Sequence, residues 1–197
     1  MSLYLALGDS YTIGEQVPYE ENFPSQTVQG VRSAGTELHL SRLTAVTGWT
    51  TDELAMALAN DPPSGPYDCV TLLIGVNNQY RGRSAEEYHW QFYSLLCQAI
   101  LYAGGRPERV IVLSIPDWGL TPFNTERDKA ETSAAIDAFN AVNKQWAEKM
   151  GCPYVDVTPH SRQIASNPEY LAEDKLHYSA KTYGVWAAHV ADIILRA

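Results

Sequence analysis

Gly8-Asp9-Ser10, Gly75-Val76-Asn77-Asn78 and Asp174-Lys175-Leu176-His177 lie far apart in the chain, yet together they hold the parts of a nucleophilic reaction. A serine hydroxyl attacks a carbonyl only when a base takes its proton and nearby donors hold the oxyanion that forms. Ser10 offers the hydroxyl and His177 the base. Asp174 stands three residues before His177, so on a helical turn or tight loop the carboxylate can orient the imidazole and stabilise its protonated form. The Asn77 side chain and the backbone amides of Ser10 and Gly48 are candidate oxyanion donors. Taken singly, each piece has a plainer use. Ser10 or Asp9 caps a turn, Asn77-Asn78 forms one, Gly48 bends the chain, and His177 packs before a helix. His160 is a rival base, since it also follows an expected strand.

These residues need a scaffold that brings them to one place. Five short apolar runs bounded by turn residues read as buried strands: Leu3–Leu7, Leu38–Val46, Cys69–Ile74, Val110–Ile115 and Tyr154–Val157. Helical patterns separate them. Thr50 with Glu53 and Ser84 with Glu87 have capping-box spacing, and an apolar stripe from Tyr88 to Ile100 stops at Gly104-Gly105. A second stripe runs from Ile136 to Met150 and ends at Gly151, and a closing helix is expected over Ala180–Arg196 behind a Ser179 cap. Both stripes, Trp146 included, read as core packing. Strands alternating with helices predict a doubly wound α/β domain: a parallel five-stranded sheet with helices on both faces. Tyr11–Pro24 and Pro116–Asp128 carry no clear element, and unstructured stretches of that length in a compact domain tend to be functional loops. Ser10, Gly48, Asn77, Asp117 and the Asp174–His177 segment each follow a different strand or its connection. Ligands of open parallel sheets bind at the carboxyl ends of the strands, so one rim should collect them.

The 197 residues make about one domain, 1–197, with enough chain for a full core. A formal charge of -9, from 23 acidic and 14 basic side chains, disfavours nucleic acid and anionic lipid as partners. No run approaches the ~18–20 apolar residues of a membrane span. Cys69, Cys97 and Cys152 are odd in number, widely spaced and read as free thiols. The absence of a basic leader points to the cytoplasm, although a leader removed ahead of Met1-Ser2-Leu3 would mean export. The sequence has no GxSxG elbow, HExxH, GxxxxGK[ST] loop or GxGxxG after the first strand. The remaining histidines lack metal-ligand spacing, and neither a metal nor an organic cofactor is expected. Oligomeric state is not legible.

Through Gly8-Asp9-Ser10, Gly48, Gly75-Val76-Asn77-Asn78 and Asp174-Lys175-Leu176-His177, in that order and over nearly the whole length, the chain resembles the GDSL esterases and lipases, also called SGNH hydrolases. The resemblance implies the flavodoxin-like fold of that family and a Ser10, His177, Asp174 triad. It also implies an oxyanion hole from Ser10, Gly48 and Asn77. Two departures stand out: Asn78 replaces the usual aspartate of the third block, and Tyr11-Thr12 follows the serine where the family has leucine. The expected reaction is ester hydrolysis through an acyl-enzyme, on small-acyl esters or acetylated carbohydrates. A lysophospholipase, a thioesterase, an acyltransferase using the same triad and a non-catalytic ligand-binding module are the alternatives. Trp118, Leu120 and Phe123 are candidates for an apolar substrate wall, and Tyr80, Arg81 and Arg83 for contacts to a polar or anionic group.

Overall fold

The computed structural model describes residues 2–196. Its centre is a parallel five-stranded sheet in the order β2-β1-β3-β4-β5. The strands are β1 (Ser2–Gly8), β2 (Leu38–Ala45), β3 (Cys69–Leu73), β4 (Val110–Leu113) and β5 (Tyr154–Val155). All five expected strands are present. The last is the shortest, an edge strand paired to β4 only through Val112↔Tyr154 and Leu113↔Val155. β3 is buried at every residue, and β1 from Tyr4 to Gly8. A strand covered on both faces has no polar side to alternate with, which is why these runs are almost wholly apolar; the buried Thr71 shares a hydrogen bond with the Tyr4 hydroxyl at 2.8 Å.

Eight α-helices occupy the described residues: α1 (Ser10–Ile13), α2 (Phe23–Ser33), α3 (Thr51–Asn60), α4 (Val76–Tyr80), α5 (Ala85–Tyr102), α6 (Lys129–Met150), α7 (Thr158–Ile164) and α8 (Ala180–Arg196). α2 packs with α8, and α5 with α6. The Thr50–Glu53 capping box forms at the start of α3. At Ser84 only half of one forms. The hydroxyl accepts from the Glu87 amide, while the Glu87 carboxylate turns to Arg83 and Gln91. Ser179 does not cap with its side chain; its hydroxyl donates to the Glu169 carbonyl.

The expected loop Tyr11–Pro24 holds α1, a 3-10 turn at Tyr19–Glu21 and the beginning of α2. Proline reads as a breaker, but Pro24 lies in the first turn of α2, where its missing N–H has no helical acceptor to lose. The Asn22 side chain caps that helix by accepting from the Ser25 amide at 2.8 Å. Pro116–Asp128 contains one 3-10 turn, Trp118–Leu120, capped by Asp117.

The chain crosses from one side of the sheet to the other between β1 and β3. Strand order reverses there, and a crevice opens at the carboxyl ends. Gly8 closes β1 at that point. A Cβ on it would stand 2.1 Å from Thr12 Oγ1 and 2.3 Å from the Leu73 carbonyl, so only glycine lets β1 turn into α1 against β3.

Candidate active site

Ser10 is the first residue of α1, and Asp9 is its N-cap, accepting from the Tyr11 amide at 3.0 Å. The Ser10 amide, at the open end of a helical turn, has no acceptor among the described residues. Asp9 is fully buried, and its second oxygen, Oδ2, has no described partner. Burial pushes the Asp9 carboxyl up to about 7, against the lowering effect of the Tyr11 amide. A carboxyl whose folded value lies above its unfolded one favours the fold most at low pH and loses that contribution as pH rises toward 7. From 3.8 to about 7, the loss is on the order of 4 kcal/mol. Asp9→Asn keeps the acceptor for Tyr11 and removes the titration. Urea unfolding should therefore show the variant gaining on the parent between pH 4 and pH 8. Parallel stability curves across that range would refute this role for burial.

His177 and Asp174 sit on a tight loop before α8, with Lys175 at φ 61°. The Asp174 carboxylate closes that loop. Its Oδ1 accepts from the amides of Leu176 and His177, both at 2.9 Å, and its Oδ2 lies 2.6 Å from His177 Nδ1. Burial raises the Asp174 carboxyl, but bonds from the imidazole and both amides outweigh it and hold it below its usual range. The ionised carboxylate thus assigns the proton to Nδ1 and leaves Nε2 as the basic nitrogen. Behind the imidazole stand Tyr11, with ring centroids 5.5 Å apart, and then Tyr178 and Trp186, all buried. This aromatic layer ties the loop to α1 and α8.

Asn77 is the second residue of α4, just beyond β3. One of its two amide hydrogens is given to the Trp49 carbonyl at 2.9 Å, which fixes the plane of the amide and leaves the other hydrogen for a ligand. Gly48 lies in the turn that follows β2, closed by Trp49 N–H to the Val46 carbonyl at 3.2 Å. Its φ of 84° is the left-handed geometry that such a turn asks of its third residue. The Gly48 amide has no acceptor among the described residues.

Ser10, Gly48, Asn77 and His177 open onto one cavity of about 170 Å3, whose wall continues through Tyr11, Thr47, Val76, Tyr80, Trp118, Phe123 and Leu176. A larger hollow of about 530 Å3 borders Gln79, Arg83 and Phe139, with no serine, cysteine or histidine in its lining. Tyr80, Trp118 and Phe123 are thus cavity residues. Trp118 is buried, its indole N–H donates to Gln79 Oε1 at 2.8 Å, and the Tyr80 ring meets it edge-on at 5.1 Å. Arg127 braces this wall, with its guanidinium 4.4 Å over Tyr80.

Other candidates lie elsewhere. Leu120 is half-buried outside the cavity lining, Arg83 pairs with Asp52, and His160 stands on α7 beside Tyr170. Arg81 is also outside the lining, with its guanidinium on the Gly48 carbonyl and Glu53. Asp117 is buried and paired with Arg162 at 2.9 Å, capping the Trp118 turn. Tyr11, Thr47, Val76 and Leu176 were not legible as site residues: Val76 and Leu176 are apolar, and no motif sets the hydroxyls of Tyr11 and Thr47 apart from others in the chain. Only their adjacency to Ser10, Gly48, Asn77 and His177 marks them.

Asn78, which stands where the family pattern has an aspartate, is fully buried and hydrogen-bonded. Its Oδ1 accepts from the Thr51 amide at 3.0 Å, while its Nδ2 donates to Thr51 Oγ1 at 2.7 Å and Gln91 Oε1 at 3.2 Å. An ionised aspartate could accept from the Thr51 hydroxyl but would have no proton for Gln91 Oε1. The neutral amide therefore supports the loop by a bonding pattern of its own. Among the described residues no three His, Cys, Asp or Glu side chains converge as metal ligands, and no helix is long and apolar enough to cross a membrane.

With this geometry in place, the comparisons with known proteins define the class. Residues 6–185 match the GDSL-like lipase/acylhydrolase family, and the chain belongs to that family of hydrolases. Among solved structures, it is similar to a lipase/acylhydrolase from Enterococcus faecalis, with 20% identity, a TM-score of 0.75 and coverage of 100% of this chain and 97% of that one. It is likewise similar to a variant of an acetyl-xylooligosaccharide esterase from Geobacillus, at 18% identity and TM-score 0.75, covering 98% and 94% of the two chains. A psychrotrophic esterase from Pseudoalteromonas, in a structure inhibited by monoethylphosphonate, shares 16% identity at TM-score 0.70, with 100% and 98% coverage. A search of curated proteins finds no match.

Proposed function

We propose that the chain is a single-domain serine esterase that cleaves small-acyl carboxylic esters through an acyl-enzyme on Ser10. The observation that carries this reading is the one cavity onto which Ser10, His177, Gly48 and Asn77 all open. Nε2 of His177 takes the Ser10 proton as the hydroxyl adds to the ester carbonyl, while Asp174 stabilises the imidazolium. The amides of Ser10 and Gly48 and the Asn77 side chain hold the oxyanion. His177 then protonates the leaving alcohol, and a water activated by the same imidazole releases the acid.

Size argues for a short acyl group. A cavity near 150 Å3 accommodates about one benzene, so 170 Å3 suits an acyl group of a few carbons and leaves a long chain in solvent. The acetyl-xylooligosaccharide esterase among the structural neighbours makes acetylated sugars a natural substrate class to test. p-Nitrophenyl esters of increasing chain length, assayed beside acetylated xylo-oligosaccharides, should give the highest kcat/KM at acetyl or propionyl. A peak at octanoyl or beyond would overturn the small-acyl assignment.

Asn77→Ala tests the oxyanion role. Loss of a side-chain donor of this kind costs about 10²–10³-fold in kcat. Because Asn77 also braces Trp49, the assay should be paired with a melting curve. Wild-type turnover by the folded variant would remove Asn77 from the mechanism.

A further inference from the structure

The expected role of Arg81 was to meet a polar part of the substrate, but its guanidinium is committed elsewhere. Nη2 donates to the Gly48 carbonyl at 2.7 Å, and Nη1 lies 3.2 Å from Glu53 Oε1. Its own backbone N–H donates to the Asn77 carbonyl at 3.0 Å, closing α4. Glu53 in turn accepts from the Thr50 amide at 2.8 Å, within the capping box that starts α3. One residue therefore joins the turn bearing the Gly48 amide to the helix bearing Asn77, two segments that are otherwise separate in sequence.

The peptide following Gly48 matters for a local reason. With φ at 84°, glycine has wide backbone freedom, and its free amide keeps one direction only if the flanking peptides are held. The Trp49 carbonyl is held by Asn77, and the Gly48 carbonyl by Arg81. The turn's last two carbonyls are thus both fastened to the neighbouring wall of the oxyanion hole, and its first, Val46, closes the turn on the Trp49 amide.

We propose that Arg81 is a positioning residue for the oxyanion hole, aiming the Gly48 amide by holding the Gly48 carbonyl. This rests on the assignment of Ser10 and the oxyanion donors made above. Misplacement of one donor by a fraction of an ångström lowers the rate without weakening ground-state binding, because the donor is used most when charge develops. Arg81→Ala should therefore lower kcat on p-nitrophenyl acetate by about 10–100-fold, with KM within about twofold of the parent.

The decisive readout is affinity for a small alkylboronic acid, whose tetrahedral serine adduct places an oxygen where the oxyanion forms. Across Arg81→Ala, Arg81→Met and Arg81→Lys, boronate affinity should fall in parallel with kcat/KM, with lysine recovering part of both. A rise in KM at constant kcat would make Arg81 a substrate contact and overturn the proposal. So would parental kcat and boronate affinity in the alanine or methionine variant. If both lose the fold by circular dichroism, Arg81 serves stability and the proposal also fails. Retention of activity by Ser10→Ala would instead strike the underlying site assignment, so the two failures are separable.

Discussion

Ser10→Ala is expected to lower kcat on an activated acetyl ester by about a millionfold while leaving the melting temperature nearly unchanged. The nucleophile is the one atom of the site that no other group replaces. Its removal leaves only the oxyanion donors and substrate binding to act on attack by water. The fold should tolerate the change, since Asp9 rather than Ser10 caps α1 and the Ser10 hydroxyl bonds to no described residue. His177→Ala shares the expectation because nucleophile and base act as one unit, whereas His160→Ala should be neutral. Mass spectrometry after treatment with a fluorophosphonate gives an independent check, with one adduct on the parent and none on Ser10→Ala. Parental turnover by Ser10→Ala, or inactivation by His160→Ala alone, would reject the assignment of nucleophile and base.

Much of the scaffold was legible because burial on two faces leaves a coarse mark. A strand that meets helices above and below has nothing polar to show, and β1 and β3 stood out for that reason. The candidate site was legible by residue type and order: a serine, an asparagine, and an aspartate with a histidine each follow a different strand, and a parallel sheet brings such ends to one rim. Gly48 was legible as a possible amide donor after the second strand, and the family resemblance singled it out from other turn glycines. Its positive φ reflects the turn it occupies.

What stayed hidden depends on which partner each polar side chain chooses. Arg81, Arg83 and Asp117 are charged residues near an expected rim, and a charge on a rim suggests a ligand. Folding gives them partners from elsewhere in the chain: the Gly48 carbonyl and Glu53 carboxylate for Arg81, the Asp52 carboxylate for Arg83, and the Arg162 guanidinium for Asp117. These contacts span 25 or more residues, beyond the reach of any local pattern. Short helices were hidden for a different reason. α4 has five residues, too few to repeat an apolar face, so Asn77-Asn78 read as a turn.

The second large effect belongs to Asp174→Asn. The carboxylate accepts from two backbone amides through Oδ1 and faces Nδ1 through Oδ2, and an asparagine can satisfy only one side of that arrangement. If its carbonyl oxygen keeps the two amides, its NH2 group faces Nδ1 and that nitrogen becomes an acceptor. Nε2 then carries the proton and cannot receive another from Ser10. The opposite orientation sets an NH2 group against two backbone N–H donors, leaving both without acceptors at a cost of about 1–3 kcal/mol each. The first orientation is therefore the stable one, with the loop intact and the imidazole in the wrong tautomer. We expect kcat to fall by about 10⁴-fold, equivalent to roughly 5 kcal/mol of transition-state stabilisation, with KM little changed. Asp174→Ala instead removes the acceptor of both loop amides and should lower the melting temperature as well. If Asp174→Asn stays within tenfold of the parent, another group sets the tautomer of His177 and the carboxylate serves only to close the loop.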